Sequence, residues 1–540
     1  MHVLSLSLIT ILGGLNGGHM SYVIEQKSGK NVYLYEVESY WDKDKKQSRQ
    51  KRRYLGKKDQ ATGETITPRK SVMPKEIFDY GHIHAVRNVA QQTKIISCLK
   101  QAFGDDYNEI MHLAYYQVLE AKPMYMQKVW AESSYIKEHL ALSSQQISKL
   151  LNKIGSNNES RTTFFKKWIR QQDKQTGSWI DITSFSSYAK NIDFCEWGYN
   201  RDKEKLPQIN LGMLLGDPTK IPLYYHVYPG SIADVSTLSN LTKIVKSFGA
   251  NINSIVLDRG YYSSSNIKTM IDEGLEFVIP LPANVKETSR LLKAAQPSLD
   301  SPLNSFQLHD EILFSYQDEI IFDNHKINAF VYMDDKRRTQ EIQLFLKRIH
   351  DLESLVANKK FKMVDDVKDC LNGVFKGSSR YFDISLKDEV KNSVVILERN
   401  EQELKETLSR AGKMVLITNK INLKPAALLQ LYRQRDSVEK IFDAIKNELN
   451  QDRLRVHSRE NMEGRLFIAF IAVVLYTVFL QKLKDSDLIK KYSVAKAVME
   501  LKKIRAIRVN DGKEILSEIS KKQRLIMDAL GVSVPVKPSY

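Results

Sequence analysis

Trp179-Ile180-Asp181-Ile182-Thr183 sets a carboxylate inside an otherwise apolar strand. A buried carboxylate is costly unless it is paired or bound to a metal. The pattern recurs at Ile255-Val256-Leu257-Asp258-Arg259-Gly260-Tyr261, where Asp258 ends a second apolar run. Around these two positions, residues 179–282 alternate strand, strand, strand, helix, strand, helix, strand. The strands fall at 179–183, 209–215, 222–227, 254–257 and 276–281, and the helices at 235–248 and 263–273. Gly216-Asp217-Pro218 is a turn signal between two of the strands, with Asp217 as its turn residue. Asp234, ahead of Val-Ser-Thr, reads as a helix N-cap. The result is a mixed α/β layer, hairpins first and crossover units after. Taken singly, Asp181 and Asp258 read more readily as cap or turn residues. On strands of one sheet they form a candidate hard-metal site, since carboxylate oxygens suit Mg²⁺ or Mn²⁺.

A third acid comes from the helix that begins after Pro425, a residue suited to a first helical turn. Tyr432, Arg435, Glu439 and Lys446 are spaced 3, 4 and 7 apart. At about 100° per residue they share an arc of roughly 60° on a continuous helix. The apolar stripe Leu431, Val438, Ile441, Phe442, Ile445 and Leu449 is centred about 90° away. One edge of a core-packed helix thus presents a phenol, a guanidinium, a carboxylate and an ammonium in line. The plainer alternative is a solvated face carrying an Arg–Glu pair at i,i+4.

Farther out, composition bounds the class. The chain has 540 residues, too many for one core, and 42% hydrophobic content is enough to build several. Its 81 Lys and Arg exceed its 64 Asp and Glu by 17, and the pI is about 9.3. This excess points to a polyanionic partner, nucleic acid or an anionic membrane, or to no more than a soluble surface. Residues 43–58 concentrate +8 of it, with Lys51, Arg52 and Arg53 at the centre and Tyr54 and Leu55 interleaved. Such a ribbon suits a phosphate backbone, and reads equally as a solvated hairpin or loop. Three scattered cysteines and no CxxC argue against a structural zinc, a redox motif or a disulfide scaffold, and fit a reducing cytosol.

Two apolar runs bear on a membrane. Residues 3–15 lack a preceding Lys or Arg, and Met20 reads as the natural start, with 1–19 a mis-called or non-native extension. Residues 466–480 are shorter than the ~20 a span requires and read as a buried core helix. Residues 75–155 are helical in pattern. The stretch 143–155 runs from an N-cap to Gly with an apolar face of Ile147, Leu150, Leu151 and Ile154, a weak helix-turn-helix signal. The predicted division is a mixed N-terminal region at 20–160 that carries the basic ribbon, core at 161–282, an α+β insertion at 283–410, core again at 411–485, and a basic helical region at 486–540.

Together these residues resemble the DDE transposases of bacterial insertion sequences, in the group marked by a Y-(2)-R-(3)-E-(6)-K signature. Tyr432, Arg435, Glu439 and Lys446 match that spacing in full. The blocks Asp-Ile-Thr-Ser-Phe (181–185), Leu-Pro-Gln-Ile-Asn-Leu-Gly (206–212), Tyr-Pro-Gly-Ser-Ile-Ala-Asp (228–234), Asp-Arg-Gly-Tyr (258–261) and Arg-Leu-Arg-Val-His (453–457) are also similar to this family. The likeness covers about 20–485. It implies an RNase H-like mixed-sheet core interrupted by an insertion between the second Asp and the Glu. Asp181, Asp258 and Glu439 would be the catalytic and metal-binding acids, holding two Mg²⁺ or Mn²⁺ ions. Tyr432, Arg435 and Lys446 would contact DNA beside the scissile bond, with Lys51, Arg52 and Arg53 gripping DNA elsewhere, which makes 20–160 a DNA-binding region.

The resemblance implies cut-and-paste transposition: cleavage and strand transfer at terminal inverted repeats, by a homodimer on paired ends of double-stranded DNA, in the bacterial cytosol without a membrane. A hairpin intermediate belongs to the family picture and is not visible in the sequence. Relatives carry an insertion Trp that stacks on a base. This insertion has none, and Phe314 or Tyr316 is the aromatic available in its place. His457 reads as a structural or solvent-facing residue before it reads as a DNA contact. The competing expectation is a catalytically inactive, transposase-derived DNA-binding protein.

Overall fold

The computed structural model describes residues 21–59, 63–66, 73–172, 177–189, 191–198, 206–232, 234–389, 392–420, 422–449, 453–510 and 512–539. The expected extension at 1–19 lies outside them. The chain divides into two compact units, one of residues 1–77 with Ile507–Ile515 and one of Phe78–Ala506 with Leu516–Tyr540.

In the first unit the strands Ser21–Ser28, Asn31–Asp42, Gln47–Lys58 and Thr65–Ile66 form an antiparallel sheet in that order. The basic ribbon is its third strand, and Lys51, Arg52 and Arg53 are exposed on it. Strand alternation answers part of their charge. Lys51 and Arg53 stand opposite Glu38 and Glu36, with Arg53 3.0 Å from Glu36, whereas Arg52 faces Val37. Tyr54 packs on Tyr33 and Tyr35.

The second unit is built on a nine-stranded sheet. Its spatial order is Ser305–Leu308, Glu311–Phe322, His325–Met333, Lys413–Thr418, Glu276–Pro280, Ser254–Val256, Gly177–Ser186, Gln208–Asp217, Pro222–Pro229. The last three are consecutive antiparallel hairpin strands. Ser254–Val256 then pairs in parallel with both Gly177–Ser186 and Glu276–Pro280. Three meander strands followed by two parallel crossover strands make an RNase H-like core. Gly177–Ser186 is buried along its whole length, as expected of a central strand covered on both faces.

The helix Arg459–Asp485 is long and apolar enough to cross a membrane, with a mean hydropathy of 2.2 in its most apolar window, but 78% of that window is buried inside the protein. Phe467 meets Phe103 and Phe164, and Phe470 meets Phe165 and Tyr225. The helix Ser144–Ser156 crosses it so closely that a Cβ on Gly464 would lie 2.0 Å from the Leu151 carbonyl oxygen, and one on Gly155 1.8 Å from that of Glu460. The apolar face of 143–155 is therefore spent on this core.

Two expectations need correction, and the insertion expected at 283–410 has two parts. The strands at 305–333 extend the main sheet, because His325–Met333 pairs with Lys413–Thr418 from Asn328–Thr418 through Met333–Lys413. A separate module starts only at Asp335. It holds helices Asp335–Ala357, Val364–Val374 and Glu401–Ser409, the hairpin Phe382–Glu389 and Asn392–Arg399, and its own core of Ile349, Leu352, Val356, Val367, Leu371, Tyr381 and Phe382. The chain enters and leaves it at one point, where Asp334 N donates to Gly412 O at 3.0 Å. Gly412 has φ +68°, and a Cβ there would meet Asp334 O at 2.6 Å.

The C-terminal region is not all helix, since Arg505–Val509 and Glu514–Leu516 are strands. The helix expected at 424–449 is three pieces: Pro425–Arg433, Asp436–Asp443 and a π-turn at Ala444–Glu448. The chain tightens to i→i+3 bonds at Arg435 N–Tyr432 O and Val438 N–Arg435 O, then loosens to i→i+5 at Leu449 N–Ala444 O.

Candidate active site

The parallel register decides where the first two acids meet. It pairs Trp179 with Val256, and two residues further along each chain stand Asp181 and Asp258. Both carboxylates therefore stand side by side on one face of the sheet, Asp181 within Gly177–Ser186 and Asp258 just past the carboxyl end of Ser254–Val256. Asp181 is completely buried, and its Oδ1 accepts from Ile182 N at 2.8 Å. Asp258 is the N-cap of the short 3₁₀ turn Arg259–Tyr261, accepting from Arg259 N at 2.7 Å. Its cap role is real, yet its side chain remains 30% exposed.

The broken helix brings the rest. Arg435, at the tightened junction, is 11% exposed and points its guanidinium among three acids. Nη2 is 2.7 Å from Glu439 Oε1 and 3.9 Å from Asp258 Oδ1, and Nη1 is 3.6 Å from Asp181 Oδ2. Burial works against the charge on Arg435, but Asp258, Tyr432, Asp181 and Glu439 outweigh it and push its pKa up. The Tyr432 ring lies 5.8 Å from that guanidinium, and burial raises its phenol pKa. Glu439 is the open member, its side chain 52% exposed.

The π-turn carries Lys446 over the ring of Phe185 at 5.7 Å, on the same face of the strand as Asp181 and Thr183. Arg453 stacks on Tyr188 at 5.2 Å and bridges to Ser186, which lays Arg-Leu-Arg-Val-His along the end of the Asp181 strand. Leu454 and Val456 point inward, and Arg455 and His457 are exposed. Lys51, Arg52 and Arg53 belong to the other compact unit.

The donors suit hard divalent cations: three carboxylates and no thiol or imidazole. All three lie within 3.9 Å of one guanidinium.

Sequence reasoning missed two features. A cleft of about 500 Å³ opens beside Asp258, Tyr432 and Arg435, and its wall carries Arg259, Arg337, Arg410, Lys413 and Arg433. These residues come from four separated segments, so no local run announces them. The other feature is a buried cluster in which Asp79, His82 and Glu120 each offer a ligand atom within 4.8 Å of the others. Its cation is supplied by the chain. Lys502 Nζ lies 3.4 Å from Asp79 and hydrogen-bonds Glu120, and Arg505 pairs with Asp79. Burial pushes the His82 pKa down, keeping it neutral there.

The transposase DDE domain family matches residues 172–475, more than half of the chain. The chain belongs to the DDE transposase family. As a transposase it is an enzyme of DNA cleavage and strand transfer, and domains of this kind work with divalent metal ions. DNA is accordingly its partner. No curated protein matches its sequence significantly. Among solved structures, a piggyBac transposase synaptic complex with hairpin DNA aligns over 78% of this transposase and 79% of that chain, at 12% identity and a TM-score of 0.36.

Proposed function

We propose that this transposase performs cut-and-paste movement of an insertion sequence, with Asp181, Asp258 and Glu439 as its catalytic and metal-holding acids. The observation that carries the reading is the convergence of these three carboxylates on one guanidinium. Two Mg²⁺ or Mn²⁺ ions held there would supply activation of the attacking oxygen and stabilisation of the departing one in an in-line displacement at phosphorus. Arg435, with its planar fork, would grip a phosphate beside the scissile bond, and Tyr432 would wall the adjoining strand. Lys446, Arg453 and Arg455 extend a basic surface along the end of the Asp181 strand, where flanking DNA would lie. Lys51, Arg52 and Arg53 would add sequence-independent backbone contacts from the N-terminal sheet. Catalysis would take place on double-stranded terminal inverted repeats, by a homodimer on paired ends in the bacterial cytosol.

The test is a supercoiled donor plasmid carrying the inverted repeats that flank the gene, incubated with Mg²⁺. Wild type should release the element, while Asp181→Ala, Asp258→Ala and Glu439→Ala should bind the ends and leave them uncut. Binding without cleavage by the wild type would favour the inactive DNA-binding reading. Full activity in Glu439→Ala would remove that residue from the triad. Replacing Lys51, Arg52 and Arg53 together by Ala should weaken binding uniformly across sequences and flatten its logarithmic salt slope by up to about 3.

A further inference from the structure

We infer that Arg435 is a built-in counter-ion that keeps the three acids closed to divalent metal until a DNA phosphate in the adjoining basic cleft draws its guanidinium away. The inference rests on the triad reading above and goes beyond it by linking DNA binding to metal entry. One guanidinium stands within 3.9 Å of Asp181, Asp258 and Glu439 at once, which is the position a shared cation takes. A divalent ion on the same oxygens would sit a few ångströms from a fixed positive charge in a partly desolvated site, where repulsion is strong. The two occupants therefore exclude each other.

The way out is also built. Arg435 lines the 500 Å³ cleft whose other walls include Arg259, Arg337, Arg410 and Lys413. A phosphate attracted there offers the fork a bidentate partner at least as good as the carboxylates it leaves. Arg435 also sits at the junction between two helical segments rather than inside a regular helix. Its role in metal entry is that of a positioning residue.

The experiment is Mn²⁺ binding to the full-length protein, followed by the electron paramagnetic resonance of the free ion, with thermal melts confirming folded variants. Without DNA, Arg435→Gln and Arg435→Ala should bind Mn²⁺ about tenfold more tightly than wild type, with Arg435→Lys staying near wild type. Adding a short 5′-phosphorylated duplex should tighten wild-type binding, leave Arg435→Gln unchanged, and have little effect in Arg337→Glu/Arg410→Glu. Unchanged or weaker binding in Arg435→Gln would overturn the inference, leaving the arginine only to orient the carboxylates. So would a duplex that does not tighten the wild type. The parent reading fails separately, if Asp181→Asn and Glu439→Gln bind Mn²⁺ as wild type does.

Discussion

Two places in this protein gather acids around a buried or half-buried cation, and they are balanced differently. At Asp79 and Glu120 two carboxylates meet Lys502 and Arg505, with Lys122 at the exposed rim and a neutral His82 beside them. At Asp181, Asp258 and Glu439 three carboxylates share the Arg435 guanidinium. The first set is matched by cations of the chain and ties the helices near residues 82 and 120 to the C-terminal segment. In the second, one acid, Glu439, opens to solvent. A cluster closed to solvent holds the fold, and one that turns a carboxylate outward is placed to meet cations from outside once its own counter-ion moves.

The contrast can be broken or sharpened by substitution. Glu439→Gln should lower plasmid cleavage by about 10³-fold, roughly 4 kcal/mol in the barrier, with little loss of melting temperature. Lys502→Met should do the reverse. It takes away the cation shared by two buried acids and should cost about 3 kcal/mol of stability in denaturant unfolding, while cleavage per folded molecule is kept.

The acid limb of stability belongs to the closed cluster. Burial opposes the charge on Glu120, but the His82 ring 3.8 Å away and the hydrogen bond from Lys502 overcome it and bring its pKa down to about 2. A carboxyl depressed in the folded state stabilises above its unfolded value near 4.5, and the gain is lost as pH falls toward 2. With solvent screening at the cluster's edge this is about 1–2 kcal/mol, and Glu120→Gln should flatten that part of the curve. The smallest effect is expected from Asp181→Asn. Relieving repulsion among the three acids should change stability by less than about 1 kcal/mol, upward if at all. A large destabilisation there would make the two clusters alike.

The core strands were legible because their pattern is local. Trp179–Thr183 and Ile255–Asp258 carry apolar runs long enough to read as strands, and the acids stand out against them. The Tyr432–Lys446 spacing singled out Arg435 and Glu439, which the fold brings to Asp181 and Asp258, but its single-helix geometry was wrong in detail. The backbone tightens at Arg435 and opens at Ala444, and neither change has a residue signature. That the strands at 305–333 continue the main sheet was hidden because their partner, Lys413–Thr418, lies about eighty residues on. The closed cluster was invisible for the same reason, as Asp79 and Arg505 are joined only by the fold.

The contact between Asp334 N and Gly412 O has a consequence for how such chains change length. The module between them begins and ends at neighbouring atoms, so it is a cartridge and not a strut. It can be enlarged, shrunk or exchanged for a short turn without shifting Asp258 relative to Glu439. The interval between those two acids is free to drift, whereas a single residue gained or lost between Trp179 and Asp181 would turn the carboxylate to the opposite side of the sheet. Spacing that looks arbitrary in one half of the triad is thus rigidly counted in the other.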